Sequence, residues 1–246
     1  NTKTVFKRNK HWWGEMKDKK VTQIELLPIK NAATRVAALL SGEIDLVTDA
    51  PVQDLKRIGS SSAHKVESTP QMRTIFLGMD QSVDQLRTGN TGDNPFKKKE
   101  VRQALYQAID IEAIKKKVMR GLSEPAGIIT FPGVNGYTKD LDKRLPYDVD
   151  AAKKLLADAG YPNGFDVELR CPNDRYVNDE AICTAVVGML GKIGVNVNLF
   201  AQTKSKHFKE LKDNQGDFYM LGWGVPTLDS HYVFHYLYES GASWNK

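Results

Sequence analysis

The chain lacks most of the features that would make its chemistry easy to name. It has only two cysteines, Cys171 and Cys183, and their spacing fits no metal-binding arrangement. Cys171 ends an expected strand and Cys183 falls in an expected helix. Both read as buried thiols, with a single bridge left open. No apolar run approaches the length that spans a bilayer as a helix. The opening residues Asn1–Phe6 carry no apolar stretch of a secretion signal. A mature secreted chain would look the same, so this leaves the compartment open. No Gly-x-Ser-x-Gly, phosphate loop or Gly-rich dinucleotide turn occurs. The lysine runs Lys97-Lys98-Lys99 and Lys115-Lys116-Lys117 lack the interleaved aromatics of a nucleic-acid platform. They read as solvated faces, which argues against a nucleic-acid partner despite a formal net charge of +5.

What is present is ordinary globular material. The 246 residues are 41% hydrophobic and 26% charged, enough for one large or two modest domains. Short strands are expected at Thr4 to Arg8, Val21 to Ile29, Ile44 to Val47, Lys65 to Thr69 and Thr74 to Met79. Between them, Asn31 caps a helix that Gly42 ends, and Pro51 opens another through Ile58. This is an α/β pattern. A polar stretch, Asp80 to Asn94, is the best candidate for a domain boundary.

Beyond it, Val101, Ala104, Leu105 and Ala108 mark a helix by their spacing. Asp110 closes the turn before a second helix through Ile114 and Val118 to Gly121. A long Pro/Gly-rich connection follows from Pro125 to Pro146. Asp148 caps a helix that Gly160 stops. Strands at Phe165 to Cys171 and Val195 to Phe200 flank a helix that begins at Asn178-Asp179-Glu180. Another helix covers Ser205 to Asp213. An apolar strand from Phe218 then breaks at Gly222, Gly224 and Pro226, and a last helix covers Asp229 to Tyr238. The strand–helix–strand rhythm predicts a mostly parallel sheet covered by helices.

In parallel α/β sheets, ligands bind at the carboxyl ends of the strands. Three loops collect polar and aromatic groups there. One is Asn173-Asp174-Arg175-Tyr176, the second Gln202-Thr203-Lys204, and the third Trp223 to Asp229. Arg175 offers fixed donors suited to a carboxylate, or it pairs with Asp174 or Asp179 on the surface. Trp223, on a loop between Gly222 and Gly224, either walls a cleft or is a core residue at a strand end. His231 and His235, four apart, could share a helix face as metal ligands, but their aromatic neighbours favour ordinary packing. The Asp179-Glu180 pair reads as compensation of a helix dipole. No metal, cofactor or catalytic residue is assigned.

Several motifs, taken in order, resemble one family. They are Asn9-Lys10-His11-Trp12-Trp13, Ala38-Leu39-Leu40-Ser41-Gly42-Glu43-Ile44-Asp45, Asn94-Pro95-Phe96 with Val101-Arg102-Gln103-Ala104-Leu105 and Ala108-Ile109-Asp110, and Tyr147-Asp148 with Ala152-Lys153-Lys154-Leu155-Leu156 and Ala159-Gly160. The ordered set is similar to the family 5 extracellular solute-binding proteins of ABC importers, which carry oligopeptides, dipeptides, nickel chelates and related solutes. The resemblance implies a periplasmic-binding-protein-like α/β fold of two lobes. Family members are roughly twice as long, so it also implies a partial chain. Residues 1–79 would belong to lobe one and 80–246 to most of lobe two.

It further implies a monomeric, periplasmic or membrane-tethered extracellular binding protein, not an enzyme. Its partners would be a peptide or small-molecule solute and a membrane permease. The implied ligand-binding residues are Arg175, Trp223, Tyr176, Asp229, Asp174, Gly222 and Gly224. Where the peptide binders carry an amino-terminus clamp, this chain has Pro226, with Asp229 the nearest carboxylate. Trp223-Gly224-Val225-Pro226 is closer to the nickel-type members. A hydrolase with an unrecognised site and a chaperone-like holder of unfolded segments are the competing classes. Turnover, or binding of extended peptides without sequence preference, would distinguish them.

Overall fold

The computed structural model describes residues 2–15 and 21–246. The chain forms two compact units, residues 1–50 and 51–246.

In the first unit, β1 (Thr4–Lys7) pairs antiparallel with β2 (Gln23–Leu26), Thr4 opposite Leu26. The helix α1 (Ala32–Ser41) follows. Asn31 caps it as expected, its side chain accepting from the Thr34 N–H at 2.9 Å. Gly42 ends it with φ 78°, the left-handed conformation that a β-carbon would strain. The expected strand Ile44 to Val47 does not form. A short extended run counts as a strand only when a neighbour takes its backbone groups, and this one meets none among the described residues.

In the second unit, α2 (Leu55–Gly59) precedes a stretch whose expected strand, Lys65 to Thr69, is likewise absent. Four strands make the central sheet. They are β3 (Arg73–Met79), β4 (Asp166–Pro172), β5 (Asn196–Gln202) and β6 (Phe218–Gly224), in the order β3-β6-β4-β5. β4 runs parallel to β5 and to β6. The expected strands around Val167, Val197 and Met220 thus share one sheet. β3 is the exception, antiparallel along the whole of β6 from Arg73↔Gly224 to Met79↔Phe218.

Helices cover the sheet: α3 (Lys99–Ala108), α4 (Ile111–Ala113) continuing into a π turn at Ile114–Val118, α5 (Val149–Asp158), α6 (Asp179–Gly191), α7 (Lys204–Lys212) and α8 (His231–Leu237). The spacing read from sequence is the buried face of α3, where Val101, Ala104, Leu105 and Ala108 have at most 1% exposure. They join Phe96, Leu156, Leu169, Leu190 and Phe218 in the main core. Full burial of the Val, Leu and Phe side chains among them contributes about 1.5–3 kcal/mol each.

Cys171 and Cys183 form a disulfide between β4 and α6, which corrects their reading as thiols. Both are fully buried, and the turn from β4 into α6 returns one beside the other.

The polar stretch from Asp80 to Asn94 is fastened to the sheet. At its start, the Asp80 N–H donates to the Asp217 carbonyl at 2.7 Å. Arg87 bridges the buried carboxylates of Asp80 and Asp217 at 2.9 and 2.7 Å. The Asn94 side chain donates to the carbonyls of Asp80 and Val83 and accepts from the Phe96 N–H.

Candidate functional site

Parallel pairing brings the carboxyl ends of β4, β5 and β6 to one edge of the sheet. The antiparallel β3 adds its own first residue, Arg73, to that edge. The loop after β4 is built on Asp179, which is 4% exposed. One of its carboxylate oxygens accepts from the N–H groups of Arg175 and Tyr176, both at 2.9 Å, and the other from that of Glu180. Burial raises the Asp179 pKa, outweighing the lowering by these three bonds. Asp179 therefore shapes the loop, which corrects its reading as a plain dipole partner. Asp174 accepts from the backbone N–H of Lys204, so the first two loops are tied together at the start of α7.

The Arg175 guanidinium pairs with neither Asp174 nor Asp179; only its backbone N–H meets the latter. Instead it lies over the Tyr176 ring, 5.1 Å from the centroid, within cation–π range. The Tyr176 hydroxyl accepts from the Gly222 N–H at 2.8 Å. A β-carbon on Gly222 would stand 2.8 Å from that ring and 2.6 Å from Ile75 Cδ1. Only glycine leaves room for the phenol there. Burial raises the Tyr176 pKa, against the lowering influence of Arg175, the Gly222 N–H and Arg73.

Trp223 is not on a loop. It lies inside β6, opposite Thr74, because Gly222 and Gly224 keep the ladder going instead of breaking it. Strand alternation then turns it away from Tyr176. The place of a Gly222 side chain is on the Tyr176 face, so Trp223 leaves on the other. There it packs with Tyr232, Tyr236 and Trp244 at centroid distances of 6.0, 5.8 and 6.3 Å. Its Nε1–H is buried without an acceptor among the described residues. Arg175 and Trp223 share an edge of the sheet but leave it on opposite faces.

Asp229 is occupied. One carboxylate oxygen accepts from the Asn135 amide at 2.9 Å and the other from the His231 N–H at 2.8 Å. The Asn135 bond leads in lowering its pKa. The long Pro/Gly-rich connection thus returns to the start of α8, where Asn135 and Asp229 also form a parallel bridge. His231 and His235 stack at 5.7 Å on α8, and His235 pairs with Glu239. Among the described residues no group of three or more His, Cys, Asp or Glu could hold a metal ion. No helix there is long and apolar enough to cross a membrane.

Arg73 escapes a reading of the sequence. Its guanidinium also lies over Tyr176, 5.8 Å from the centroid, and its buried Nε has no partner among the described residues. A lone Arg at a strand start gives no signal. Only the antiparallel placement of β3 brings it to this edge.

A family model described as "Bacterial extracellular solute-binding proteins, family 5 Middle" matches residues 1–245. The chain is 28% identical over 207 residues to heme-binding protein A of Haemophilus influenzae, covering 82% of this chain and 35% of that one. It is similar to a solved dipeptide-binding protein of Pseudoalteromonas sp. SM9913 in complex with Met-Leu, with 25% identity and a TM-score of 0.68, over 92% of this chain and 43% of that one. NikA of Staphylococcus aureus, in complex with Ni(L-His)2, gives a TM-score of 0.80 at 23% identity, over 99% and 50%. The chain spans 35–42% of the length of the curated relatives it matches.

Proposed function

We propose, from the premise that the chain belongs to the family 5 bacterial extracellular solute-binding proteins, that it is part of the solute-binding component of an ABC importer. It captures a peptide or similar small polar solute between two lobes and delivers it to a membrane permease. The role is binding, not catalysis, and it is exercised in the periplasm or at the outer face of the cell. Residues 1–79 contribute to one lobe and 80–246 to most of the other. The observation that carries this reading is the family match along nearly the whole chain. The solute favours the closed arrangement of the lobes by the extra contacts it makes there. A buried disulfide suits an oxidising compartment.

On this reading the site is the sheet edge with Arg175, Tyr176, Gly222, Trp223 and Gly224. Arg175 meets an anionic group, and Trp223 contributes an apolar wall and an unpaired N–H. A second reading, a nickel-chelate or other non-peptide solute, is favoured by Asp229. Both of its oxygens are already bonded, and Pro226 stands where a clamp for a peptide amino terminus would be. The test is mass spectrometry of what co-purifies with the natural-length protein, followed by calorimetry with that compound. One saturable solute supports the proposal. Turnover of the compound, or binding of extended peptides without preference, overturns it.

A further inference from the structure

Two guanidinium groups lie over the Tyr176 ring, Arg73 from β3 and Arg175 from the loop after β4. Neither makes an ion pair within 4.0 Å among the described residues, although most other arginines of the second unit are bonded to carboxylates or carbonyls. Arg87 holds Asp80 and Asp217. Arg170 holds Glu168 and Glu210. Arg102 and Arg144 donate to carbonyls. Among the described residues, the nearby carboxylates form no ion pair with either guanidinium and take backbone donors instead. Asp174 takes the Lys204 N–H, and Asp179 takes three backbone N–H groups. Tyr176 does not neutralise the pair, since burial keeps its phenol protonated.

Like charges gathered on one ring repel each other. A buried Nε–H without an acceptor also costs free energy. An arrangement with both features is completed by an anion from outside. A guanidinium presents its donors in a rigid planar fork that suits a carboxylate.

We propose that Arg73 is a second anion-binding residue of the cleft beside Arg175, and that it engages a carboxylate of the solute. This rests on the solute-capture reading and narrows it to carboxylate-bearing solutes. Arg73 would be a specificity-determining residue contributed by the strand antiparallel to the rest of the sheet.

The test is calorimetry on the natural-length protein with three probes: γ-glutamylglycine with two carboxylates, glycylglycine with one, and glycylglycine amide with none. γ-Glutamylglycine should bind at least tenfold more tightly than the amide. Arg73→Gln should weaken both carboxylate probes at least tenfold while shifting the unliganded melting temperature little, and Arg73→Lys should recover part of the loss. Unchanged affinity of Arg73→Gln for the carboxylate probes overturns the proposal. So does an amide that binds as well as the acids, or no binding of either acid. Co-purification of a solute without a carboxylate would sink this inference and leave solute capture standing. A protein that retains no solute and answers no compound in a broad screen would sink solute capture itself.

Discussion

The hydroxyl of Tyr176 accepts a hydrogen bond from the backbone N–H of Gly222 at 2.8 Å, so the loop after β4 takes one backbone donor of β6. Tyr176→Phe removes the acceptor and leaves a part-buried N–H unsatisfied, which should cost about 1–3 kcal/mol of stability. Gly222→Ala should cost about 1–3 kcal/mol by overpacking, because its methyl would meet Tyr176 and Ile75. Urea unfolding of both variants measures this. A Gly222→Ala protein as stable as the parent would show that the ring has room to move.

Arg87 is the only cation bonded to the buried carboxylates of Asp80 and Asp217 among the described residues. Arg87→Ala strands two desolvated charges and should cost about 3–5 kcal/mol. Arg87→Lys should recover only part, since a single ammonium does not reproduce the guanidinium fork. Chemical denaturation of the two variants decides it.

The disulfide joins residues 12 apart in sequence. Replacing both cysteines by alanine should lower stability by about 2–4 kcal/mol. Reductant should destabilise the parent and leave the double variant unchanged. Thermal melts with and without reductant compare the two.

His207 is fully buried, and its Nε2–H donates to the Met220 carbonyl at 2.9 Å. Its Nδ1 has no partner among the described residues, so protonation would place an unmatched donor in the core. Burial accordingly lowers its pKa. The unfolded chain therefore takes up the proton first as pH falls. The contribution of His207 is fully present above the ordinary histidine value of about 6.5 and is lost as pH drops from there towards the folded pKa. Stability should fall by at most about 1.4 kcal/mol per pH unit in that window. His207→Gln should remove this slope, and melts between pH 7.5 and 5 would show it.

At the proposed site, Arg175→Ala should reduce solute affinity by about 1.5–3 kcal/mol and barely change stability, since its guanidinium makes no ion pair. Trp223→Ala should do both kinds of damage. It removes an apolar wall and also opens a hole among Tyr232, Tyr236 and Trp244, costing roughly 2 kcal/mol or more of fold stability. Melting temperature and calorimetric affinity, measured together, separate the two roles. A Trp223→Ala protein with lowered stability and intact affinity would make the tryptophan purely a packing residue.

The sequence made local features legible. Asn31 and Asp148 cap helices by side-chain bonds at the expected places, and the apolar spacing of α3 is its buried face. These features depend only on residues a few positions apart. What depended on distant pairing was not legible. Ile44 to Val47 and Lys65 to Thr69 have strand-like residues but no neighbour to pair with. Gly222 and Gly224 look like strand breakers, yet they sit in the ladder because Tyr176, 46 residues away, occupies the space beside Gly222. Arg73 reached the candidate site only through the sheet order. For Trp223, one residue decided the face, since alternation along β6 sends it to the side opposite Tyr176.

The β3–β6 ladder has unequal ends. At Met79↔Phe218 it runs into the Asp80–Arg87–Asp217 clasp, and near Arg73↔Gly224 it is tied by neutral hydrogen bonds, Thr74 to the Ile129 carbonyl and the Gly222 N–H to Tyr176. Mechanically it is a zipper with its slider locked at one end. A load that separates the chain before Arg73 from the chain after Gly224 acts on the other end, one residue pair at a time. The first backbone links to yield are those beside Arg73, Gly222 and Trp223, while the clasped end holds. Local opening is thereby directed to the edge where the candidate site lies, and the core beneath it keeps its packing.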